Sequence, residues 1–600
     1  MAPLLDAKQL ELLGIGMQLA AVLLVLYYLL KWLAGKRGGV PGPAFYLPAI
    51  GETLSLFASP TRYMWKNWLE YGPFFRTHLL GYPLYVVGSP GLLKPVLGDD
   101  SAFEFFVPGK TFTMLISDIR HMQVPEQHAV FRRRLGQALN PGALSRHVMA
   151  PLRVVLERHL DAWEAAGRVQ LAEACAAASL DVALEVLTGV PLPAAPETRA
   201  EVRQLFRTAL AGLYGVPLPW LPGTAIHSAL RAQRRLMALL GPELDREVAE
   251  LAGKMLEAGA ATGTATTSSS SDTEAPMRML EAQVAAALPF HTATPSSGAA
   301  ATAGTATAST GTPLSLTKEQ IFERALGVVI ASDDTSKHLF FFELVAAAML
   351  PGVWAKLEEE QKQAMRKYGD ELSYSILNDM PYLDAVIKET IRVFPTAVGG
   401  FRRALKDVPV EGGQLIPAGS IVFYSTHLLN AADPALLPRS LAPESRKQQL
   451  ERKGAAAGGV REGAGAAGGA GAARGQGAAG QPDTSTKAGR RALARALEGP
   501  TGLPAHLDYE CRLEEAFRPE RWLSDETRPR QFAGFGGGQH LCLGMHLAHA
   551  EARMLLALVV RRFHLRLEQP QLLSRVTYFP GPVPRKGADG LVLMPRRLEP

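Results

Sequence analysis

The stretch Phe535-Gly-Gly-Gly-Gln-His-Leu-Cys-Leu-Gly544 is the most informative part of this sequence. Its three consecutive glycines predict a tight loop whose backbone can approach a flat surface closely, because glycine has no Cβ. The strongly apolar run from Leu543 to Phe563 predicts a helix directly after this loop. Cys542 would therefore lie at a helix N-terminus, where the helix dipole and the unpaired N–H groups favour a thiolate.

A thiolate in a glycine-lined, apolar loop is suited to bind a haem iron. The alternative is a buried free cysteine at a strand-to-helix turn, the usual fate of a single cysteine. The spacing Phe-x-x-Gly-x-x-x-Cys-x-Gly favours the first interpretation, since it resembles the haem-binding signature of cytochrome P450 monooxygenases. The resemblance implies that Cys542 is the axial iron ligand of a haem b. It also implies four further haem-binding positions in the same loop: Phe535, Gly538, His540 and Gly544.

Two upstream segments match other elements of the P450 family. Glu389-Thr-Ile-Arg392 lies in a predicted helix that ends at Pro395, and residues three apart share a helical face. The segment Phe517–Trp522 resembles the one whose arginine joins this pair in the family, which here is Arg521. The resemblance implies a structural role for the three side chains, which hold the fold around the haem.

The two haem propionates need cations, and the resemblance implies three more positions that supply them. His128 and Arg132 are spaced like the family's early-helix contact, and Arg402 matches its propionate-binding arginine on a short strand. His540 stands where the family has Arg or His. For each of these residues, the alternative is a solvated surface charge.

Oxygen chemistry is expected in the long helix that begins near Lys318, where Ala331–Ser336 resembles the family pattern Ala-Gly-x-Asp/Glu-Thr-Thr/Ser. Cleavage of O₂ needs protons, and an acid–alcohol pair can relay them where a Thr hydroxyl opens the helix by bonding the carbonyl one turn back. Asp334 and Thr335 are the candidates for this relay, and a solvent-exposed helix turn is the alternative. Ser332 and Gly534 depart from the family, which has Gly and Pro there.

The composition is that of a globular protein, with 47% apolar and 20% charged residues. The net charge of +6 is slight, and no basic tract is present, which argues against nucleic acid as a partner. Three scattered cysteines, Cys175, Cys511 and Cys542, cannot form a disulfide framework and favour a reducing compartment.

The N-terminus predicts a membrane anchor in residues 1–40. Leu12–Leu30 contains no charged residue and is long enough to span a bilayer. Lys31, Lys36 and Arg37 follow it, so we expect the remaining chain on the cytoplasmic side. A cleaved signal peptide is the alternative. The endoplasmic reticulum is the expected membrane, and a plastid envelope would have a similar anchor.

Residues 41–594 are expected to form one haem domain, mainly α with small β-sheets, interrupted by two disordered insertions at about 258–312 and 440–505. Both insertions are rich in small residues and have too little apolar surface to offset chain entropy, although Met277–Leu288 could form a short helix. Apolar spacing predicts the main helices at Leu152–Ala166, Glu201–Leu213, Ala225–Glu257, Lys318–Leu350, Pro351–Tyr368 and Tyr382–Val393. Short strands are predicted at Phe75–Leu79, Leu84–Val87, Val408–Val410 and Ile421–Tyr424.

No nucleotide- or flavin-binding glycine motif is present, so electrons are expected from a separate NADPH-P450 reductase or ferredoxin. Pro395–Arg402 resembles the corresponding strand of P450s that oxidise sterols, retinoids, carotenoids and other isoprenoids. Gly399 and Gly400 would leave room for a broad, flat, apolar substrate beside O₂, or would merely mark a strand kink. Two other functions stay open: a haem-thiolate sensor or carrier without turnover, and an isomerase or dehydratase on the same fold. The Asp-Thr pair argues against the second.

Overall fold

This computed structural model describes residues 51–262, 318–437 and 484–599, together with a few residues between 16 and 43. Short breaks within these ranges fall at 80–81, 108, 117–119, 189–191, 214, 411–412, 498, 570–572, 574–575, 578–582 and 585–586. The membrane helix predicted at Leu12–Leu30 lies largely outside the described residues, as do most of both insertions and the short helix predicted at Met277–Leu288. Within the described part of the chain, no single helix is long and apolar enough to cross a membrane.

The helices before the first insertion alternate with four strands. These helices are α1 (Thr53–Ala58), α2 (Pro60–Tyr71), α3 (Pro90–Gly98), α4 (Lys110–Leu115), α5 (Arg120–Gln123), α6 (Pro125–Leu139), α7 (Pro141–Ala143), α8 (Met149–Ala166), α9 (Leu171–Val182), α10 (Pro196–Gly212) and α11 (Ala225–Thr262). Single π-helical turns at Leu144–Val148 and Ala183–Leu187 continue the chain after α7 and α9.

The helices after the first insertion include the longest buried one. They are α12 (Lys318–Met349), α13 (Pro351–Tyr368), α14 (Tyr374–Asn378), α15 (Pro381–Val393), α16 (Thr426–Ala432), α17 (Lys487–Leu497), α18 (Leu513–Ala516) and α19 (Met545–Arg562). Three 3₁₀ turns, at Ala505–Leu507, Pro519–Leu523 and Gly538–His540, shape the segment that leads to α19.

The strands form small sheets at the edge of the helical body. They are β1 (Phe74–Leu79), β2 (Tyr82–Val87), β3 (Phe103–Phe106), β4 (Arg168–Gln170), β5 (Gly399–Ala404), β6 (Val408–Val410), β7 (Gln414–Ile416), β8 (Ile421–Ser425), β9 (Phe563–Leu567), β10 (Val576–Thr577), β11 (Val583–Pro584) and β12 (Gly590–Pro595). The largest sheet has the order β1-β2-β8-β5-β3, in which only β2 and β8 are parallel. A second sheet has the order β4-β12-β9, and β10-β11 and β6-β7 form two-stranded ribbons.

Helix α12 runs through the main core and packs against α9, α15 and α19. Its second half contains Phe340, Phe341 and Phe342, all of which are buried. An interior helix is surrounded by protein and needs no polar face towards solvent. Apolar residues therefore occupy successive positions of α12 instead of a single stripe. The helix ends at Met349 because Pro351 cannot continue it and instead begins α13.

The mainly helical architecture with small sheets agrees with the fold class predicted from the sequence. The helix predicted at Pro351–Tyr368 coincides with α13, and the strand predicted at Val408–Val410 coincides with β6. Strand β5 was predicted from the family resemblance of Pro395–Arg402 and not from residue pattern, because its sequence Gly-Gly-Phe-Arg-Arg-Ala shows neither alternation nor β-branched residues. Pairing with β3 and β8 on either side makes it a strand.

The disordered insertion predicted to extend to residue 505 differs from the structure at its C-terminal end, where α17 is folded. Leu493 of α17 is fully buried in a cluster with α2. Arg490 donates from Nε to the Leu69 carbonyl oxygen at 3.3 Å and from Nη1 to the Thr484 carbonyl oxygen at 3.1 Å. The prediction extended the Gly/Ala-rich insertion over α17. This segment is a short amphipathic helix whose Ala, Arg and Leu residues have high helix propensity.

Candidate active site

A cavity of about 490 Å³ lies between the middle of α12 and the loop that precedes α19. Its wall is mostly apolar and includes Phe112, Ile116, Leu135, Val328, Leu339 and Leu547. Cys542 and Thr335 both line it, so the structure brings together the two positions to which the sequence assigned iron binding and oxygen chemistry. An apolar cavity with a few polar groups is the usual form of a small-molecule site.

Two hydrogen bonds fold the loop that carries Cys542. The Gly536 N–H donates to the Ala533 carbonyl oxygen at 3.0 Å, and the Cys542 N–H donates to the Phe535 carbonyl oxygen at 2.9 Å. Gly538 has a φ of +63°, and a Cβ there would overlap the carbonyl oxygen of Leu97 in α3. Only glycine allows both the positive φ and the close contact with Leu97. Packing against α3 and backbone conformation therefore both require glycine at this position.

The Cys542 side chain is exposed to the cavity, while protein surrounds it on the other sides. Desolvation raises the pKa of its thiol, and the Gly544 N–H and the charge of Arg132 oppose that rise only in part. In the protein alone, desolvation therefore opposes the thiolate that the sequence favours. Gly544 caps α19, and the first helical residue is Met545, three positions after the cysteine. A metal ion would deprotonate the thiol on binding.

Three of the predicted propionate-binding side chains stack at one side of this loop. The rings of His128 and His540 lie 4.0 Å apart and nearly parallel, and Phe105 stacks on His540 with ring centroids 5.1 Å apart. The Arg402 guanidinium lies over the ring of Phe105 at 5.5 Å and over the ring of Tyr424 at 6.0 Å. Of these side chains, His540 and Tyr424 line the cavity.

The fourth predicted side chain, Arg132, completes a positively charged cluster. Its Nη1 donates to the Leu541 carbonyl oxygen at 2.6 Å, which ties α6 to the residue before the cysteine. Burial, together with the charges of Arg132 and Arg402, lowers the pKa of His128 to about 4. Burial and the same cations, with His128, lower the pKa of His540 to about 3. Among the ion pairs of the described residues, none joins this cluster to a carboxylate, so an anionic ligand would stabilise it.

The residues present fit a haem. The group needs a soft axial ligand, an apolar space beside the metal, and cations for its carboxylates. Cys542 supplies the sulfur, and the cavity supplies the apolar space. The cluster of His128, Arg132, Arg402 and His540 supplies positive charge that the described part of the protein leaves without a paired carboxylate.

The predicted Glu389–Arg392 pair is fully buried and forms a bidentate ion pair, with nitrogen–oxygen distances of 2.7 and 2.8 Å. Arg521 Nε lies 3.4 Å from Glu389 Oε1, as the sequence predicted, and the Arg518 N–H donates to the same oxygen at 2.8 Å. Trp522, a partner that the sequence did not reveal, donates from Nε1 to Glu389 Oε2 at 2.9 Å. Burial opposes ionisation of Glu389, but Arg392 and Arg521 outweigh it and hold its pKa below the usual value.

The two predicted relay residues have different surroundings. Thr335 lines the cavity, and its Oγ1 donates to the Ala331 carbonyl oxygen at 2.9 Å, the hydrogen bond expected for an opened helix. Asp334 is absent from the cavity wall and pairs with Lys337, with Nζ and Oδ1 2.9 Å apart. The structure therefore places the alcohol at the cavity and the acid beside a lysine. Ser332 also lines the cavity.

Sequence reasoning missed a second acid at the cavity, Glu551 of α19. It lines the same cavity and accepts a hydrogen bond from Ser336 Oγ at 2.7 Å. A signal for it was present in the sequence, because Glu551 is the sole acidic residue between Leu543 and Phe563. A single carboxyl in a strongly apolar helix is rarely explained by packing.

The glycines at the start of β5 are explained by strand packing. A Cβ at Gly399 would overlap the Tyr424 carbonyl oxygen, and a Cβ at Gly400 would overlap the Tyr424 ring in β8. Gly399 lines the cavity, whereas Phe401 stacks on Phe423 at 4.8 Å in a different cluster. Of the two glycines expected to leave room for a substrate, Gly399 lines the cavity and Gly400 does not, and the contacts with Tyr424 require glycine at both positions without a substrate.

Comparisons with known proteins agree with this geometry. The cytochrome P450 family model matches residues 291–436 and 515–577. Abscisic acid 8'-hydroxylase 1 of Oryza sativa is 26% identical over 380 residues, which cover 62% of this chain and 68% of that protein. Taxoid 14-beta-hydroxylase of Taxus cuspidata is 23% identical over 425 residues, covering 68% and 74% respectively.

A solved structure of retinoic acid-bound cyanobacterial CYP120A1 superimposes with a TM-score of 0.61 at 20% identity, covering 93% of this chain and 99% of that chain. At this identity the likeness establishes the fold. Taken with the cysteine loop, the cavity above it and the family match, these findings show that the chain belongs to the cytochrome P450 family and is a haem-iron monooxygenase.

Proposed function

We propose that this P450 hydroxylates an elongated isoprenoid-derived substrate and that Cys542 is the axial ligand of its haem iron. The observation that carries the proposal is the apolar cavity of about 490 Å³ that reaches from Cys542 along α12. An apolar pocket of this size suits a ligand with little hydrogen-bonding capacity. The names of the relatives agree, since abscisic acid and the taxoids are isoprenoid-derived compounds.

Haem iron, when bound, uses O₂ and two electrons to put one oxygen atom into a C–H bond and release the other as water. The protein's own residues bind and orient the haem and the substrate, and they exclude water from the cavity. The Cys542 sulfur would hold the iron and would supply the electron density that favours cleavage of O₂. Arg132 and Arg402 would bind the propionates as cations, and His128 and His540 would donate hydrogen bonds to them from neutral rings. Thr335 holds a hydroxyl at the cavity surface, where a proton can be passed on.

One end of the cavity is charged, and this restricts the possible substrates further. Glu323 and Arg324 of α12 line the wall eleven or twelve residues before Thr335. With a rise of 1.5 Å per residue, Arg324 lies roughly 16 Å along the helix from Thr335. A guanidinium is a planar donor group that can bind a carboxylate or a hydroxyl. A substrate whose polar group lies roughly 16 Å from the oxidised carbon would fit.

Substrate binding tests this proposal directly. Haem-loaded protein is titrated with retinoic acid, retinol, abscisic acid and a sterol, and the haem Soret band is followed as substrate displaces the water on ferric iron. We expect retinoic or abscisic acid to shift the band and to give a hydroxylated product with a reductase present. If none of the isoprenoids shifts the band while other apolar compounds do, the isoprenoid assignment is wrong.

The polar end of the substrate is tested with a matched pair of ligands. Arg324→Met should weaken binding of retinoic acid about tenfold or more and change binding of retinol little, because only the acid carries a charge. Equal losses for both ligands would contradict a role for Arg324 in recognising the carboxylate.

The N-terminal segment 1–40 is proposed as a membrane anchor, with residues 41–594 as the haem domain on the cytoplasmic side of the endoplasmic reticulum. The support is the uncharged stretch Leu12–Leu30 followed by basic residues. Exposed apolar side chains between α10 and α11 add to it, since Val216 is 62% and Trp220 72% exposed. A variant lacking residues 1–40 should be extracted from membranes by high salt or alkaline carbonate, whereas the full chain should need detergent. A plastid location of the tagged full chain would overturn the choice of membrane.

Electrons come from a separate protein, and we assign this role to NADPH-P450 reductase in preference to a ferredoxin because of the proposed membrane. Product formation with each donor, at equal rates of electron supply, distinguishes the two. Turnover with ferredoxin alone would contradict this choice.

A further inference from the structure

Helix α17 lies outside the stretches that match the P450 family model, between residue 436 and residue 515. Its sequence Lys-Ala-Gly-Arg-Arg-Ala-Leu-Ala-Arg-Ala-Leu contains four basic residues and no acidic one. Leu493 faces inwards and is fully buried, whereas Lys487, Arg491 and Arg495 are exposed. The helix therefore adds a positively charged surface to the outside of the haem domain.

The fourth basic residue, Arg490, fixes α17 on α2. Its side chain is buried and donates to two carbonyl oxygens at the C-terminal end of α2, those of Leu69 at 3.3 Å and Glu70 at 3.5 Å. It also donates to the carbonyl oxygens of Thr484 and Ser485 at 3.1 and 3.0 Å. A cation is stabilised at this place because the helix dipole puts negative partial charge at the C-terminus of α2. The outer sides of the two helices are therefore held together as one surface.

Four exposed cations share this surface, which we call the basic face: Lys66 of α2 and Lys487, Arg491 and Arg495 of α17. Glu70 pairs with both Lys487 and Arg491, with 2.9 Å between its Oε2 and Arg491 Nη2. Lys66 lies about one helical turn before Glu70, and Arg495 about one turn after Arg491. Neither Lys66 nor Arg495 forms an ion pair within the described part of the chain. One carboxylate for four cations leaves an excess of positive charge.

The basic face lies close to the point where the chain leaves the proposed membrane anchor. Val40 is buried, and its carbonyl oxygen accepts a hydrogen bond from Arg76 Nε of β1 at 3.2 Å. The ten residues from Leu30 to Val40 can span at most about 36 Å. Strand β1 begins at Phe74, directly after the end of α2 that bears Glu70. The chain is therefore too short to place this side of the domain far from the bilayer.

Two further features favour a bilayer over an acidic protein as the binding partner. Leu54 of α1 is 64% exposed, and α1 packs against α2. An apolar side chain beside cations is typical of a surface that lies at the membrane interface. The connection after the proposed anchor contains Lys31, Lys36 and Arg37, which have the same sign of charge as the basic face. Basic residues next to a membrane anchor are attracted to anionic lipids within a Debye length of the surface.

We propose that the basic face binds the anionic phospholipid headgroups of the membrane that holds the N-terminal anchor. The anchor alone would let the haem domain rotate on the bilayer, and a second contact at α2 and α17 fixes its orientation. The contact is electrostatic, so it requires negatively charged lipid and weakens as the salt concentration rises. The proposal rests on the proposed membrane anchor and not on the identity of the substrate.

Acetylation of lysines in haem-loaded, full-length protein tests this contact in lipid nanodiscs. Discs of phosphatidylcholine are compared with discs in which a third of the lipid is phosphatidylglycerol, which adds negative charge and no amine. We expect acetylation of Lys66 and Lys487, measured by mass spectrometry, to slow about threefold or more in the anionic discs. Lys356 on α13, which is exposed and ion-paired like Lys487, is the internal control and should not change.

Salt provides the second arm of this measurement. The slower acetylation should disappear at about 1 M salt, where the Debye length is only about 3 Å. Equal acetylation rates of Lys66 and Lys487 in the two kinds of disc at low salt would overturn the proposal. Protection that persists at high salt would also contradict it, since the contact would then not be electrostatic.

A charge-reversal variant links the protection to the basic face. Lys66→Glu combined with Arg495→Glu changes residues outside the ion pairs of the described chain, and Lys487 should lose its protection in the anionic discs. The control combines Lys362→Glu with Arg597→Glu, which changes the net charge equally on another part of the surface. This control should keep the protection of Lys487. Equal loss in both double variants would show that net charge, and not the basic face, attracts the lipid.

Two further outcomes separate this proposal from those on the anchor and on the reductase. If the full chain does not copurify with neutral discs, the anchor is wrong, and retention on anionic discs at low salt then tests the basic face. The charge-reversal variant should lose that retention, and equal retention would overturn the proposal. Protection of Lys66 and Lys487 by added NADPH-P450 reductase, with no effect of phosphatidylglycerol, would overturn it too and assign the basic face to a protein partner.

Discussion

Glu389 and Arg392 form a bidentate ion pair in which neither side chain is exposed to solvent. Five further hydrogen bonds hold the pair: Glu389 accepts from Arg518, Arg521 and Trp522, and Arg392 donates to the carbonyl oxygens of His506 and Ala516. The pair therefore joins α15 to the segment that leads into the cysteine loop. Its position explains how a helix far from Cys542 in sequence sets the shape of the site.

Replacing Glu389 should unfold the protein more easily. Glu389→Gln leaves the Arg392 charge buried without compensation, and we expect a loss of about 3–5 kcal/mol in the free energy of unfolding, measured with urea. Glu359→Gln on the surface of α13, where both partners of the Glu359–Arg366 pair are exposed, is the control and should cause no measurable change. Equal stability of the two variants would show that the buried network does not hold the fold.

Gly538→Ala should damage the cysteine loop through both conformation and overlap. A positive φ costs a non-glycine residue about 1–2 kcal/mol, and the new Cβ would in addition overlap the Leu97 carbonyl oxygen. Gly502→Ala is the matched control, since Gly502 has a φ of +74° with open space around it. We expect lower haem content in Gly538→Ala than in Gly502→Ala, and equal haem content in the two would contradict the role of the α3 contact.

The histidine pair should make stability depend on pH in haem-free, full-length protein. The folded pKa values of His128 and His540, about 4 and about 3, lie below the unfolded value near 6.5. The stability that comes from keeping the two histidines neutral is therefore fully present above pH 6.5. It is lost as pH falls towards 4, by up to about 1.4 kcal/mol per pH unit for each histidine. The double variant with glutamine at both positions should lose less stability between pH 7 and pH 5.

The control for this prediction is the exposed His546, whose replacement by glutamine should leave the pH dependence as it is in the wild type. Urea unfolding at pH 7 and pH 5 supplies the comparison. The same pH dependence in the double variant and the wild type would mean that the cluster does not suppress protonation of the two rings.

Helix α17 should contribute to stability although it follows a Gly/Ala-rich stretch. Leu493 is fully buried against α2, and Leu493→Ala should lower the free energy of unfolding by about 2–4 kcal/mol. Arg495→Gln, an exposed change on the same helix, should stay within about 0.5 kcal/mol of the wild type. A loss below 1 kcal/mol for Leu493→Ala would mean that α17 is dispensable for folding.

Sequence reasoning recovered the long helices and the loop around Cys542, because periodic apolar residues and a rare glycine–cysteine spacing are local signals. Residue pattern did not reveal β5, which the family resemblance alone indicated, because its strand conformation comes from pairing with β3 and β8, which are distant in sequence. Sequence reasoning also missed the desolvation that raises the pKa of the Cys542 thiol. Desolvation depends on what surrounds Cys542 in three dimensions, and no local pattern encodes it.

The same distinction applies to the residues around Thr335. The Asp334-Thr335 pattern identified the turn of α12 that reaches the cavity, but pattern alone could not show that Lys337 binds the acid. The contact between Ser336 and Glu551 joins residues 215 positions apart in the chain. Such a pair becomes visible only when α12 and α19 are packed together.

The central claim is that Cys542 binds the haem iron as a thiolate, and the reduced-plus-CO difference spectrum of the full-length protein tests it most directly. A thiolate opposite CO moves the Soret band far to the red, because sulfur donates electron density into the iron–ligand bonds. We expect that band in the wild type and its absence from Cys542→Ser with haem still bound. A red-shifted band that persists in Cys542→Ser, or a folded wild type that binds haem without it, would contradict the claim.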